Sequence, residues 1–181
     1  MFKITESRIP GCFEIELKEI KDLRGSFTKN YHREMFKNAG IDDELGEEFF
    51  IHSFKNVFRG MHFQNPPKAV NKTVFCIMGK VTDYIVDMRI GSPTFGEYVS
   101  FDLDGDVPRA LFVPKGTAHG YFVKSEFALM QYKSSDVYDP QYDDAINYLS
   151  FPFAKEITNP ILSDRDIHAQ YFKDFKNNFK F

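Results

Sequence analysis

The sequence predicts an all-β fold, a sandwich or barrel of short strands with a few short helices, and three observations support this prediction. Short apolar runs recur along most of the chain, and Gly, Pro and Asp residues that favour turns separate them. Aromatic residues, which favour strands, make up 17% of the 181 residues. Short strands at such spacing are typical of β-sandwiches and barrels. The length fits one domain covering residues 1–181.

The N-terminal region predicts two strands, a turn and a helix. Residues 1–19 alternate apolar and polar side chains, as at residues 13–17, which is the period of a half-buried strand. Residues 22–25, Asp-Leu-Arg-Gly, predict a turn, and residues 27–32 predict a further strand. Residues 33–40 predict a short helix that is closed by a glycine cap.

From residue 48 onward the pattern is almost entirely β. The apolar runs cover residues 74–78, 81–88, 98–103, 110–113 and 127–132. Turn sequences separate them at residues 79–80, 91–93, 104–106 and 124–126. Residues 159–181 change to a polar and aromatic composition, which predicts a partly helical tail that packs back on the barrel. We find no internal repeat and no second domain.

Composition and charge exclude several classes of protein. The formal net charge is −3, whereas a protein that binds nucleic acid in bulk needs a basic surface to neutralise phosphates. Cys12 and Cys76 are too few for a disulfide framework, and Cys76 lies in an apolar run where a reduced thiol is expected. The N-terminus has no apolar run of signal-peptide length, and no stretch of ~18 uncharged apolar residues occurs. We therefore expect a soluble, cytoplasmic protein without nucleic-acid or membrane partners.

The most informative segment is residues 57–64, where His62 follows Arg59 and Gly60 on an otherwise apolar strand. Imidazole titrates near neutral pH, so His62 is the candidate base. The alternative is a histidine that packs in the core. In a regular strand Arg59 would face away from His62 unless a bulge intervenes at Gly60, and glycine is common at bulges. Otherwise Arg59 is a surface charge.

Four further residues are candidates for chemistry or binding, and each has a simpler alternative. Lys72 begins an apolar strand, and with His119 it could donate hydrogen bonds to a developing oxyanion. Tyr132 could deliver a proton from the face opposite His62, although a buried tyrosine bonded to backbone is commoner. Tyr138 could stack on a planar ligand, or could be a turn residue that covers the barrel mouth.

Metal binding is the competing interpretation, because small β-barrels with paired histidines often hold iron, manganese or nickel. Near His62 there is no His-x-His pair and no glutamate a few residues on, and His119 stands alone. The usual three or four ligands are therefore not evident, and we predict no metal.

The segments in their order resemble the dTDP-4-dehydrorhamnose 3,5-epimerase family, cupin-fold enzymes that act on nucleotide-linked 4-keto-6-deoxy sugars. The resemblance runs nearly end to end. It is carried by residues 22–27, 59–64, Lys72, 91–96, 113–120, 132–133, 138–140 and 160–166. It implies a cupin, or jelly-roll, β-barrel and an isomerase that uses no cofactor.

The resemblance also implies catalytic roles. His62 would be the proton acceptor, Asp166 its carboxylate partner and Tyr132 the proton donor. Lys72 and His119 would contact the keto region of the sugar. The resulting reaction is inversion at C3, C5 or both through an enolate, because the C4 ketone acidifies the neighbouring protons.

The resemblance also implies which residues bind the substrate. Arg59 and Arg24 would hold the diphosphate and nucleotide, Tyr138 would stack on the base, and Asp143 and Arg165 would contact ligand. Family members are homodimers with strand exchange, so Arg24 and Phe27 are expected to serve the neighbouring subunit.

Two departures bear on the substrate. The family usually has a glutamate where Lys29 stands, and a Gln-x-Asn element near residues 47–49. Both positions contact nucleotide or sugar, so Lys29 is a candidate binding residue and thymidine need not be the nucleoside. Residues 50–57 look closer to variant members that act on GDP-linked keto-heptoses in surface-polysaccharide pathways. The alternatives are a sugar-nucleotide-binding cupin without turnover, and a ketoisomerase or metal-dependent cupin enzyme.

Overall fold

A computed structural model describes residues 3–41 and 44–181 of the chain. Within these residues two antiparallel sheets, one of six strands and one of five, pack face to face beside a separate two-stranded hairpin. The strands are β1 (Lys3–Glu6), β2 (Phe13–Glu16), β3 (Glu19–Asp22), β4 (Gly25–Thr28), β5 (Glu47–Phe54), β6 (Phe58–Gln64), β7 (Lys72–Met78), β8 (Lys80–Asp87), β9 (Tyr98–Asp104), β10 (Arg109–Val113), β11 (Thr117–Val123), β12 (Phe127–Ser134) and β13 (Asp143–Ala145). The predicted all-β fold is confirmed.

The order of the strands is that of a jelly roll, with long connections that cross between sheets. The six-stranded sheet runs β1-β2-β10-β7-β12-β5, and the five-stranded sheet runs β13-β6-β11-β8-β9. Strands β3 and β4 pair only with each other, around the turn predicted at residues 22–25. Strand β4 ends at Thr28, so the predicted strand over residues 27–32 is too long. His32 instead becomes the N-cap of the following helix.

The main hydrophobic core lies between the sheets. Side chains from the six-stranded sheet, such as Val74, Leu111 and Met130, meet Ile85 and Val123 from the five-stranded sheet. A second cluster covers the outer face of the five-stranded sheet, and a third covers the outer face of the six-stranded sheet. Because both faces of the inner strands are buried, they appear in the sequence as continuous apolar runs rather than strict alternation.

The helices are short and lie on the outside of the sheets. Helix α1 (Arg33–Asn38) buries Phe36 in the third cluster, and Gly40 follows it with a positive φ, as the predicted glycine cap requires. The tail contains helix α2 (Asp164–Ile167) and a 3-10 helix at Phe172–Asp174, and two more 3-10 helices precede it at Tyr148–Ser150 and Pro152–Glu156.

The tail packs back on the barrel, as predicted. Phe172, Phe175 and Phe179 contact the second cluster. Isolated β-bridges join Ile161 to Val57 and Gln170 to Ile146. Helix α2 is thereby held against strand β6, where it reaches the site described below. In the part of the chain that the structure describes, no helix is long and apolar enough to cross a membrane.

Candidate active site

A cavity of about 200 Å³ opens between the two sheets. The six-stranded sheet supplies one wall in two rows of side chains. Glu47, Ser134 and Lys72 lie opposite one another on β5, β12 and β7, so they share a face and form the outer row. Phe49 and Tyr132 form the next row, and their rings stack at 5.2 Å with an angle of 4° between planes.

The five-stranded sheet supplies the opposite wall, and a bulge in β6 sets its composition. His62 lies opposite His119 and Arg59 lies opposite Tyr121, so two residues of β6, Gly60 and Met61, lie opposite the single residue Gly120 of β11. The extra residue brings Arg59 and His62 to the same cavity, as predicted for a bulge at Gly60. Gly60 has φ of 143°, and a Cβ there would lie 2.5 Å from the Cα of Gly120.

His62 is oriented by a carboxylate from the tail. Its Nε2 lies 2.6 Å from Oδ1 of Asp166, which is 2% exposed on helix α2. The side chain of Ser163 caps this helix by accepting a hydrogen bond from the Asp166 amide at 3.2 Å. Because the Asp166 carboxylate accepts a hydrogen bond from Nε2–H, Nδ1 is left as the acceptor nitrogen.

The pKa of His62 lies below its ordinary value of 6.5. Burial of the ring lowers this pKa, and the hydrogen bond to Asp166 opposes the effect. Arg165 and Lys72 lower the pKa further through their positive charges. The imidazole is therefore neutral at pH 7 and able to accept a proton.

His119 has a carboxylate partner that our sequence analysis missed. Its Nε2 lies 2.9 Å and 2.8 Å from the two carboxylate oxygens of Asp83, and both residues are buried. Burial raises the pKa of Asp83, while His119 and Lys72 oppose this shift. One signal was present, because Asp83 is a charged residue within the apolar run 81–88. Its distance of 36 residues from His119 concealed the pairing.

Lys72 has no fixed partner. Its ammonium group forms no hydrogen bond or salt bridge with any residue that the structure describes, although it lies in the fields of Asp143, Asp83 and Glu47. Burial lowers the pKa of Lys72 to about 8. Such a group is available to a ligand oxygen.

Two of the tyrosines that line the cavity are buried, and their hydroxyl groups differ. The hydroxyl of Tyr121 lies 2.9 Å from Oγ of Ser53. The hydroxyl of Tyr132 has no hydrogen-bond partner among residues 3–41 and 44–181, and its ring contacts Phe49 and His119. Burial raises the pKa of Tyr132 well above 10, so its hydroxyl stays protonated and can donate.

At the outer end of the cavity Tyr138 and two charged residues are linked. The Tyr138 hydroxyl donates to Oδ2 of Asp143 at 3.2 Å. Arg165 donates to Oδ1 of Asp143 at 2.9 Å and to the carbonyl of Asp144 at 2.8 Å. Tyr138 is 58% exposed.

Three predicted binding residues do not reach the cavity of their own chain. Arg24 and Phe27 belong to the β3–β4 hairpin, and both are exposed, as is Lys29. None of the three lines the cavity, whereas Glu47 and Phe49 do. The sequence analysis named residues 47–49 only as a segment and did not identify Ser53, because nothing local distinguishes the inner from the outer face of β5.

Across the ranges 3–41 and 44–181, no three side chains of His, Cys, Asp and Glu gather in a way that could hold a metal ion. The two facing histidines, His62 and His119, each bond to a separate carboxylate instead.

Comparison with known proteins identifies the family of this chain. The profile of the dTDP-4-dehydrorhamnose 3,5-epimerase family matches residues 6–174. A dTDP-4-dehydrorhamnose 3,5-epimerase of Shigella flexneri is 36% identical over 174 residues, covering 94% of this chain and 96% of that protein. A dTDP-4-dehydrorhamnose 3-epimerase of Streptomyces niveus is 35% identical over 164 residues, covering 89% and 79%.

A solved structure supports the same assignment. The dTDP-6-deoxy-D-glucose-3,5-epimerase of Legionella pneumophila, in complex with dTDP-4-keto-L-rhamnose, superposes with a TM-score of 0.89 at 33% identity, covering 97% of this chain and 95% of that one. This chain therefore belongs to the dTDP-4-dehydrorhamnose 3,5-epimerase family of isomerases.

Proposed function

We propose that the protein inverts C3, C5 or both in a nucleoside-diphosphate-linked 4-keto-6-deoxy sugar, without a cofactor. One observation carries this proposal: a neutral histidine and a protonated tyrosine face a single cavity from opposite sheets. Epimerisation needs a base on one side of the sugar ring and an acid on the other. Binding alone needs neither, which disfavours a cupin without turnover.

The first step is removal of a proton next to the ketone. Nδ1 of His62 accepts the proton from C3 or C5, and the electrons of that C–H bond move to form an enolate at C4. Asp166 stabilises the resulting imidazolium through its contact with Nε2. The dyad thus holds the proton without a metal or redox group.

Lys72 stabilises the enolate oxygen in this proposal. Its ammonium group has no partner among the residues that the structure describes and can donate to that oxygen, and burial strengthens the interaction. His119, held by Asp83, offers a second polar contact in the same region.

The second step returns a proton from the opposite wall. The hydroxyl of Tyr132 donates its proton to the carbon that lost one, which inverts the centre, and solvent then restores both groups. Phe49 and His119 hold the ring of Tyr132 in place. Tyr121 is the weaker candidate for the acid because its hydroxyl already bonds to Ser53.

The nucleotide would occupy the outer end of the cavity. Arg59 would bind the diphosphate, Tyr138 would stack on the base, and Asp143 and Arg165 would border it. We propose GDP-linked keto-heptose as the leading alternative to a dTDP-linked hexose, because Lys29 and residues 47–49 depart from the family pattern. Surface-polysaccharide synthesis would be the corresponding setting.

We further propose a homodimer in which the β3–β4 hairpin enters the partner's site. Arg24 and Phe27 are exposed, with a side-chain exposure of 90% for Arg24, and they lie outside their own cavity. Strand β5 adds exposed Phe50 and Phe54 at the sheet edge. We also infer a cytoplasmic location, which the two free cysteines, Cys12 and Cys76, favour.

The test is NMR of the protein in D₂O with dTDP-4-keto-6-deoxyglucose and, separately, a GDP-linked 4-keto-6-deoxy-heptose. We expect deuterium at C3, or at C3 and C5, with one substrate. Exchange would identify the nucleotide and the inverted centres together. Absence of exchange with both, alongside tight nucleotide binding, would favour the binding protein, and stoichiometric bound iron or nickel would favour the metal-dependent enzyme.

Replacing His62 with Asn should abolish deuterium wash-in, because Asn cannot accept the proton. Binding of the nucleoside diphosphate should persist, since Arg59 and Tyr138 are unchanged. Wash-in is followed by NMR and binding by calorimetry on the same sample. Retained exchange in this variant would remove His62 from the role of base.

A further inference from the structure

Arg59 is held by a pair of buried hydroxyl groups that no role above requires. Its Nε donates to Oγ of Ser53 at 2.9 Å, and that oxygen lies 2.9 Å from the hydroxyl of Tyr121. Ser53 is 2% exposed and Tyr121 is 1% exposed. Ser53 belongs to β5 and the other two residues to β6 and β11, so the contacts cross from one sheet to the other.

This brace, formed by the hydroxyls of Ser53 and Tyr121, is electrically neutral, which distinguishes Arg59 from four other arginines of the chain. Arg24, Arg89, Arg109 and Arg165 each pair with a carboxylate within 3 Å, namely Asp22, Asp87, Glu14 and Asp143. Arg59 pairs with a hydroxyl, and burial raises the pKa of Tyr121, which keeps that second hydroxyl uncharged. The full positive charge of Arg59 is therefore left for a ligand.

The brace also fixes which donors are available. Nε donates to Ser53, and the guanidinium also interacts with the Tyr121 hydroxyl. A guanidinium held by Nε cannot rotate freely, so its remaining donors keep one direction. Two parallel donors in a fixed plane match the geometry of phosphate oxygens.

We propose that Ser53 and Tyr121 are positioning residues that orient Arg59 toward the diphosphate of the substrate. This inference rests on the proposed function, in which Arg59 binds that group. It predicts an effect on diphosphate affinity that is separate from the proton-transfer step.

The test compares Ser53→Ala, Tyr121→Phe and Arg59→Ala with the unmodified protein. We expect Ser53→Ala to weaken binding of dTDP or GDP about tenfold, because a charged donor loses its partner and its orientation. Tyr121→Phe should have a smaller effect, and Arg59→Ala the largest. Affinity for the free nucleoside should not change, and the loss in kcat/KM should lie in KM.

Two further variants separate positioning from a general loss of structure. Ser53→Thr keeps the hydroxyl and should restore most of the affinity. Thr82→Val removes another buried hydroxyl, which donates to Asp102 at 2.7 Å, and should leave diphosphate affinity unchanged. If Ser53→Ala does not fold, Tyr121→Phe and Ser53→Thr still test the brace.

The outcomes distinguish this inference from the proposed function. Unchanged dTDP and GDP affinity in Ser53→Ala and Tyr121→Phe, with a clear loss in Arg59→Ala, would overturn the brace alone. Equal losses for nucleoside and diphosphate would also overturn it. Unchanged affinity in Arg59→Ala would instead remove the diphosphate assignment on which the inference rests.

Discussion

The lowered pKa values of His62 and Lys72 share one cause, burial in a cavity between two sheets, but they have opposite functional meanings. Burial keeps His62 neutral, which a base needs. Burial also brings Lys72 close to losing its charge, and Lys72 needs that charge to stabilise an oxyanion. The proposed chemistry therefore works only within a range of pH whose lower limit is set by His62 and whose upper limit is set by Lys72. Tyr132 stays protonated throughout this range.

We predict that kcat/KM falls on both sides of this window. The pKa of His62 lies below 6.5, and at pH values below that pKa His62 is protonated and cannot accept a proton. Above a pKa of about 8, Lys72 loses its positive charge. The pH profile of kcat/KM reports these groups in the free enzyme.

A substitution at Lys72 tests whether this residue causes the alkaline limb of that profile. Lys72→Arg keeps a positive charge at any accessible pH, so the alkaline limb should move upward even if the rate at pH 7 falls about tenfold or more through poorer geometry. An alkaline limb that stays near pH 8 in this variant would assign it to another group.

Tyr132→Phe should separate proton removal from inversion. The base and its carboxylate remain, so deuterium exchange at the acidified carbon should continue. Reprotonation from the opposite wall is lost, and product formation should fall about 100-fold or more. Exchange and inversion are read from the same NMR spectra. Product formed at the normal rate would mean that another group is the acid.

At the scale of elements, the bulge in β6 is the feature on which the site depends. It places Arg59 and His62 on one side of the strand, and Gly60 makes it possible by lying against Gly120. Helix α2 is the second such element, because its four residues carry both Asp166 and Arg165. In sequence these two elements lie about a hundred residues apart, and His62 and Asp166 are separated by 104.

Gly60→Ala should therefore be costly. The added Cβ would lie 2.5 Å from the Cα of Gly120, and alanine would have to adopt a positive φ. We therefore expect a loss of about 3 kcal/mol or more in the free energy of unfolding. Gly91→Ala is the matched control, because Gly91 also has positive φ but nothing within 4 Å. It should cost about 1 kcal/mol. Urea unfolding measures both, and equal losses would contradict the close-approach explanation.

At the scale of the whole molecule, the cavity of one chain lacks part of the binding set expected for its family. Arg24 and Phe27 extend away on a hairpin that pairs with no other strand in the described ranges. The proposed sharing of a site between two subunits would account for their exposure, and it would make activity depend on assembly.

Subunit mixing tests that arrangement. Arg24→Ala and His62→Asn should each be inactive or nearly so as pure proteins. If Arg24 serves the neighbouring site, mixed dimers contain one intact site, and an equal mixture should regain roughly a quarter of wild-type activity. Mixing after mild dissociation, followed by the exchange assay, measures this. No recovery despite demonstrated mixed dimers would place Arg24 in its own chain's site or outside the site.

Much of this protein could be predicted from the sequence, because local patterns carry the information. Apolar runs with turn residues between them predicted the β fold, and Gly40 predicted the end of helix α1. The sequence also singled out His62, Lys72, Tyr132 and Asp166 as candidates, the last through its resemblance to a family. The strand predicted over residues 27–32 was too long, since periodicity does not mark where pairing stops.

The tertiary structure decided what depends on register and on packing between sheets. It showed that Arg59 and His62 face the same cavity, that Asp83 holds His119, and that Ser53 reaches Arg59 from the other sheet. These contacts join residues on different strands, and no local period encodes which strands become neighbours. A one-residue change in register would turn each of these side chains to the other face, so only the assembled sheets determine the site.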